Sequence, residues 1–329
     1  MFVPADGKGT LVDAEAMATL DIRILGNGPE WISTASGDQI VYTKFLAGLP
    51  KTRVNARLAM AQQLRDGSWR HDFLAPVARL RAVPYASNDW RDPSPRISYV
   101  DPAGYHYWRN LDEPASERRV AQYPQSQLQY YYAMRFVQGE RAATFPTVVD
   151  GVSQVFRYDL DSGVATQLTF DAGQKDLNSR AWIWHAPEFG GARVMMTVAD
   201  DVELRIYREA EGTGWELIRS MRTSRNGIVN SPEYFTYNGN SYVFFVASVP
   251  PATFPSQVFL ANIDPAEPLL QQLTPDFPRR MRTDPEAFIA DDGAYIYFNR
   301  QTVDPAGNQY CLSCNEGIFR SHTGLVPAN

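Results

Sequence analysis

"QVFRYDLDSGVATQLT", residues 154–169, decides the fold. An apolar, aromatic run ends in an acidic turn with a glycine, and a second run restarts toward Leu-Thr. Two short strands joined by a polar turn make a hairpin. The pattern returns as "QVFLANIDPAEPLLQQLT" at 257–274. Looser copies are "ARLAMAQQLRDGSWRHDFL" from Ala56, "YHYWRNLDEPASERRV" from Tyr105 and "ELRIYREAEGTGWELI" from Glu203. Their turn acids, Asp66, Asp112, Asp161, Glu211 and Asp264, stand 46, 49, 50 and 53 residues apart. A shortened copy, "GIFRSHTG" from Gly317, follows after about one more period, and a period near 50 marks a repeat architecture.

A second hairpin with a recurring start precedes all of these but the copy at Gln154. "GPEWISTASGDQIVYTKF" starts at Gly28, "APEFGGARVMMTV" at Ala186, "SPEYFTYNGNSYVFFVA" at Ser231 and "DPEAFIADDGAYIYFNR" at Asp284. "SPRISYVDPAG", from Ser94, carries arginine in the glutamate slot. Two hairpins give four strands per unit, the blade of a β-propeller. No helical pattern of about ten residues interrupts the series. The expectation is an all-β, six-bladed β-propeller of four-stranded blades in a single domain, 1–329. The N-terminal "GTLVDAEAMATLDIRIL" would supply the fourth strand of the last blade and close the ring, removing an open sheet edge. Five blades with a large insertion is the alternative, because "LQYYYAMRFVQGERAATFPTVVDGVSQ" has no Pro-Glu start.

Composition narrows the partners. The net charge of −6, without a basic block, argues against nucleic acid. No run approaches the ~20 apolar residues of a membrane span. The N-terminus lacks a basic stretch followed by an apolar block, so a cytoplasmic protein is expected, with a mature secreted one as the alternative. Only 4 histidines are present, too few for a histidine-rich metal site. Cys311 and Cys314 form a lone CxxC, read as free thiols, a local disulfide or part of a metal site. G-x-S-x-G, a phosphate loop, a dinucleotide fingerprint and HExxH are all missing from the sequence.

"VFRYDLDSGVATQLT" and "VFLANIDPAEPLLQQLT" resemble the TolB-type, WD-related propeller repeat. "WHAPEF" and "DPEAFIADDGAYIYF" resemble the starts of arabinanase- and xylosidase-type propeller glycosidases. The first resemblance implies the fold and leaves function open, since such propellers serve as binding scaffolds, peptidase domains and lyases. The second implies carboxylate chemistry.

In a propeller the first strand of each blade lines a central channel. Repeat alignment therefore places Glu30, Glu188, Glu233 and Glu286 in one ring, with Arg96 at a fifth place. Four crowded carboxylates cannot all stay charged without compensation. Either Arg96 neutralises part of the ring or binds an anion, a cation sits on the axis, or some carboxyl pKa values are raised. A raised carboxyl is an acid whose ionised neighbour is a base or nucleophile. That is the chemistry of glycoside cleavage. The structural alternative has each glutamate accept backbone N–H bonds and stitch blades together. Around the channel mouth, Trp31, Trp184, His185, Tyr234, Asp284 and Trp90 are candidate binding residues, tryptophan faces being suited to sugars and polycyclic ligands. The leading expectation is a metal-independent acid/base enzyme without a cofactor, a hydrolase, lyase or cyclase. Its substrate would be a small sugar-like or polycyclic aromatic molecule. A noncatalytic peptide- or glycan-binding propeller and a calcium-dependent hydrolase or lactonase, with Asn230, Asn238 and Asp284 near the ion, are the alternatives.

Overall fold

A computed structural model describes residues 30–34, 37–49, 53–66, 68–87, 94–103, 105–120, 134–170, 181–210, 214–223, 227–248, 256–276, 280–290, 292–302 and 315–327. Their strands form six antiparallel sheets in which each strand pairs with its neighbour in sequence. The fold is all-β, a six-bladed β-propeller. Helical structure among the described residues is confined to three 3-10 turns of three residues each. No helix of the described residues is long and apolar enough to cross a membrane.

The chain divides into two compact units at Ala172–Gly173. The first holds blades 1 to 3. Blade 1 is β1 (Glu30–Thr34), β2 (Gly37–Phe45), β3 (Ala56–Gln63) and β4 (Trp69–Phe73). Blade 2 is β5 (Ala82–Ala86), β6 (Arg96–Val100), β7 (His106–Asn110) and β8 (Arg118–Arg119). Blade 3 is β9 (Arg135–Phe136), β10 (Ala142–Val149), β11 (Val152–Asp159) and β12 (Ala165–Gln167). The second unit holds blades 4 to 6. Blade 4 is β13 (Trp182–Ala186), β14 (Ala192–Ala199), β15 (Glu203–Ala210) and β16 (Gly214–Met221). Blade 5 is β17 (Val229–Tyr237), β18 (Asn240–Ser248), β19 (Ser256–Asn262) and β20 (Leu270–Gln272). Blade 6 is β21 (Arg280–Ala290), β22 (Gly293–Thr302) and β23 (Asn315–His322).

Six sheets exclude the five-blade alternative, for the stretch without a Pro-Glu start builds blade 3. The shortened copy at Gly317 lies in β23. The N-terminal closing strand falls outside the described residues, as do Cys311 and Cys314.

Within each unit, apolar side chains from one face of a blade meet those of the next. Ile32 and Val41 of blade 1 pack with Ile97 and Tyr99 of blade 2, and Trp108 of blade 2 with Phe136 and Phe145 of blade 3. In the second unit, Trp184 and Val194 meet Val243 and Phe245, while Phe235 and Val246 meet Ile296 and Phe298. Each such side chain contributes about 1.5–3 kcal/mol on burial, so the inter-blade faces carry much of the fold.

The repeat that revealed the fold has a physical reason. In blade 3 the Thr169 hydroxyl accepts the Val155 N–H (3.0 Å) and donates to the Gln154 side-chain oxygen (2.7 Å). In blade 5 Thr274 does the same with Val258 (3.0 Å) and Gln257 (3.0 Å). The Gln and the Leu-Thr at opposite ends of the motif thus lock the fourth strand onto the third. Blade 4 uses an ion pair there: Glu203 takes the Gln position and meets Arg222 at 2.7 Å.

Candidate functional site

The Pro-Glu dipeptides do not share one structural place. In β17 and β21 the proline sits in a β-bulge. The pairing jumps from Asn230↔Val246 to Glu233↔Phe244, and from Thr283↔Asn299 to Glu286↔Tyr297. Proline lacks an N–H, and a bulge is one of the few sheet positions that tolerate it. Glu233 lies four residues before Tyr237, which pairs with Asn240, and Glu286 four before Ala290, which pairs with Gly293. Glu30 stands four before Thr34, which pairs with Gly37. Glu30, Glu233 and Glu286 therefore have one register.

Glu188 does not. The β13–β14 hairpin closes from Ala186 to Ala192, so five residues form its turn instead of two. Pro187, Glu188 and Phe189 make a 3-10 turn there, ended by Gly190 at φ 66°, a left-handed conformation suited to glycine. Trp182 takes the register position that Glu233 holds in blade 5. The extra turn residues shift the dipeptide away from the first strand, which sequence alignment on Pro-Glu alone could not see.

From that turn Glu188 reaches blade 5. Its two carboxylate oxygens accept the Ser241 N–H (2.7 Å) and the Ser241 hydroxyl (2.9 Å). Ser241 is completely buried, and its hydroxyl oxygen also accepts the Trp184 indole N–H (3.0 Å). Tyr234 stacks on Trp184 with ring centroids 4.3 Å apart and meets Trp182 edge-on at 5.6 Å. Trp184 is 0% exposed, so it packs the blade 4–blade 5 joint rather than presenting a face to a ligand. His185 is exposed and its Nδ1 donates to the Gly191 carbonyl at 3.0 Å, bracing the turn.

Arg96 also departs from the expected ring. It opens β6, the second strand of blade 2, and is buried. Its guanidinium donates to the Glu140 carbonyl (3.3 and 3.4 Å) and lies over Phe136 at 5.2 Å, joining blade 2 to blade 3. The first-strand bulge of blade 2 instead follows "VPY": pairing jumps from Ala82↔Val100 to Tyr85↔Ser98 around Pro84. Tyr85 thus stands where blades 5 and 6 place glutamate. Its hydroxyl accepts from Arg135 of blade 3 at 3.2 Å, and the guanidinium lies over its ring at 4.3 Å. "AVPYAS" was the readable signal for this residue, since its proline sits in a strand pattern.

Strand alternation sets the direction of the glutamates. Glu233 shares a face with Phe235 and Tyr237, whose rings enter the core shared with blade 6. Glu30 shares a face with Ile32, which packs toward blade 2. Glu233 and Glu30 are half-buried, and Glu286 is exposed. The bulge before Glu233 is strained: Ser231 has φ 47°, a region costly for a residue other than glycine. The Trp182 indole donates to the Pro232 carbonyl at 2.8 Å and holds the bulge in place. Trp31 and Asp284 lie in β1 and β21 with side chains outside the description, and Trp90 is outside the described residues.

Among the described residues no group of three or more His, Cys, Asp or Glu is placed to hold a metal ion. Asn238 forms the β17–β18 turn at φ 49° and donates to the Val326 carbonyl at 2.9 Å. One ionic group escaped sequence reading. Glu117 meets Arg79, Arg81 (3.2 Å) and the Tyr99 hydroxyl (2.7 Å), and Arg81 lies over Tyr107 at 3.9 Å. Burial raises the Glu117 carboxyl, yet hydrogen bonds from Arg81 and Tyr99 outweigh it and hold the group below its usual range. The cluster ties the segment before β5 to blade 2, and its distant sequence positions gave no motif.

No family model matches the sequence, and no curated protein matches it. Solved structures do match in fold. An ancestral GH74 enzyme superposes with TM-score 0.60 at 14% identity, over 92% of this chain and 42% of its own. A triple arginine mutant of AofleA from Arthrobotrys oligospora gives 0.50 at 7% identity, over 83% and 78%. TolB from Acinetobacter baumannii gives 0.49 at 14% identity, over 88% and 64%. The chain thus spans less than two thirds of the length of that TolB and of the GH74 enzyme. TolB proteins and propeller glycosidases, the two groups that the repeats resemble, are both among the structures similar in fold.

Proposed function

We propose that the protein is a carboxylate-based hydrolase acting on a glycosidic linkage, with Glu233 and Glu286 as its acid/base pair. The observation that carries this reading is their common register on the first strands of neighbouring blades, in unequal surroundings. Glu233 is half-buried on the strand face of Phe235, while Glu286 is exposed. Burial disfavours the charged form, so two such carboxylates divide into a proton donor and an ionised partner. Glu233 is the acid in this assignment and Glu286 the base or nucleophile. The strained Ser231 and the Trp182 bond to Pro232 support it, because backbone strain concentrates where a side chain must be held. The fold likeness to an ancestral GH74 enzyme favours a sugar substrate. No metal is required by this chemistry.

The test is hydrolysis of a panel of aryl glycosides and oligosaccharides by wild type, Glu233→Gln and Glu286→Gln. Loss of turnover in both variants, with folding unchanged, supports the assignment. Turnover that survives both changes overturns it. Binding of a glycan without turnover in wild type would replace it with a binding module, and loss of activity with chelator would point to a cation-dependent hydrolase.

A further inference from the structure

In the third strands of blades 1 to 5 one residue meets the residue that directly follows the end of the fourth strand, or pairs with the last residue of that strand. Leu58 accepts from Leu74 (2.9 Å), Val155 from Leu168 (2.8 Å) and Val258 from Leu273 (2.8 Å), and Leu204 pairs with Met221. All four are buried aliphatic residues. In blade 2 the same bond runs from the Val120 N–H to the His106 carbonyl (3.0 Å). Blade 2 therefore places an imidazole in a core position that four other blades fill with Leu or Val.

His106 is 0% exposed, and its ring lies against Phe145 of blade 3 at 5.6 Å. Among the described residues neither ring nitrogen has a hydrogen-bond partner. A neutral imidazole carries one donor and one acceptor, and leaving both unmet in a core is costly. A charged imidazole there costs more.

We propose that His106 is an acid-operated release built into the joint between blades 2 and 3: protonation places an uncompensated cation in that joint and opens it. The described charged and titratable groups of the surrounding strands offer no counter-charge. Arg96 opens β6, and Arg118 and Arg119 form β8. Arg135 of β9 is engaged by Tyr85. In β11, Arg157 is paired with Glu140 at 2.8 Å, Asp159 accepts from Ser162 at 2.8 Å, and the Tyr158 hydroxyl is held neutral by burial. Arg109 and Tyr107 alternate to the opposite face of β7. Burial alone holds the imidazole down to about 3, against an ordinary value near 6.5. The folded state therefore binds fewer protons than the opened one between these values. The closed joint is favoured in full above pH 6.5 and loses up to about tenfold in its closed-to-open ratio for each unit of fall toward pH 3.

Hydrogen exchange on the full chain from pH 7 to pH 4, corrected for intrinsic rates, tests this in wild type and His106→Leu. Leucine is the residue that blades 1 and 4 use at this place. The expected result is extra loss of protection in β6, β7, β9 and β10 of wild type, approaching tenfold per pH unit, that His106→Leu removes. Equal loss in both proteins overturns the proposal. Should the variant not fold, the NMR titration of the wild-type His106 ring decides. A ring that stays neutral in the closed state well below pH 6 supports it, and one that titrates there near pH 6.5 overturns it.

Discussion

Pro187-Glu188 and Pro232-Glu233 are the same dipeptide doing different work. In blade 4 it falls in a five-residue turn, and the carboxylate grips Ser241 of blade 5. In blade 5 it falls in a first-strand bulge, and Glu233 shares the strand face of Phe235, which packs with blade 6. The difference comes from the length of one hairpin turn. A charged residue in a repeat takes its role from its distance to the turn, because that distance fixes both strand position and face.

The largest effect that would sharpen this contrast is on turnover. Glu233→Gln should lower glycoside hydrolysis by about 10²–10⁴-fold, the usual contribution of a positioned proton donor, with little change in denaturation midpoint. Steady-state rates beside a urea titration check it. The next effect is on stability and belongs to the other glutamate. Glu188→Ala removes two bonds to a carboxylate and leaves the Ser241 N–H unmet, which should cost about 2–3 kcal/mol in urea unfolding, with turnover per folded molecule unchanged. Trp182→Phe tests the support of the bulge. Loss of the N–H to the Pro232 carbonyl should cost about 1 kcal/mol and reduce turnover more than Glu188→Ala does.

The smallest expected effect concerns the strand lock, where blade 4 again differs from its neighbours in sequence. Burial works against the charge of Glu203, but hydrogen bonds from Ser220, Arg222 and Arg205 outweigh it and hold the carboxyl down to about 2. Its folded value is below its unfolded value. The stabilisation is therefore present above about pH 4.5 and is lost as the pH falls toward 2. Glu203→Gln should flatten that part of the stability profile, whereas Gln154→Glu in blade 3, beside Thr169 rather than an arginine, should not create a matching one. Urea midpoints measured between pH 5 and pH 2.5 check both.

The blades were legible because the hydrogen-bond lock of Gln154 and Thr169, repeated by Gln257 and Thr274, imposes a sequence signature at fixed spacing. Blade 4 stayed recognisable because the ion pair of Glu203 and Arg222 occupies the same geometry. The site was only partly legible. Glu30, Glu233 and Glu286 share a register as alignment expected, but Glu188 is displaced by its turn and Arg96 belongs to a second strand. Tyr85 was missed because its bulge carries Val-Pro-Tyr without a charge to draw the eye. His106 was hidden for another reason: only the hydrogen bond from Val120 identifies its position with that of Val155 and Val258.

The most direct measurement is turnover and urea unfolding of Glu188→Gln and Glu233→Gln, side by side under one set of conditions. The account predicts a crossover: Glu188→Gln loses stability and keeps turnover per folded molecule, and Glu233→Gln keeps stability and loses turnover. Full turnover in Glu233→Gln, or loss of turnover in Glu188→Gln at unchanged stability, would contradict it.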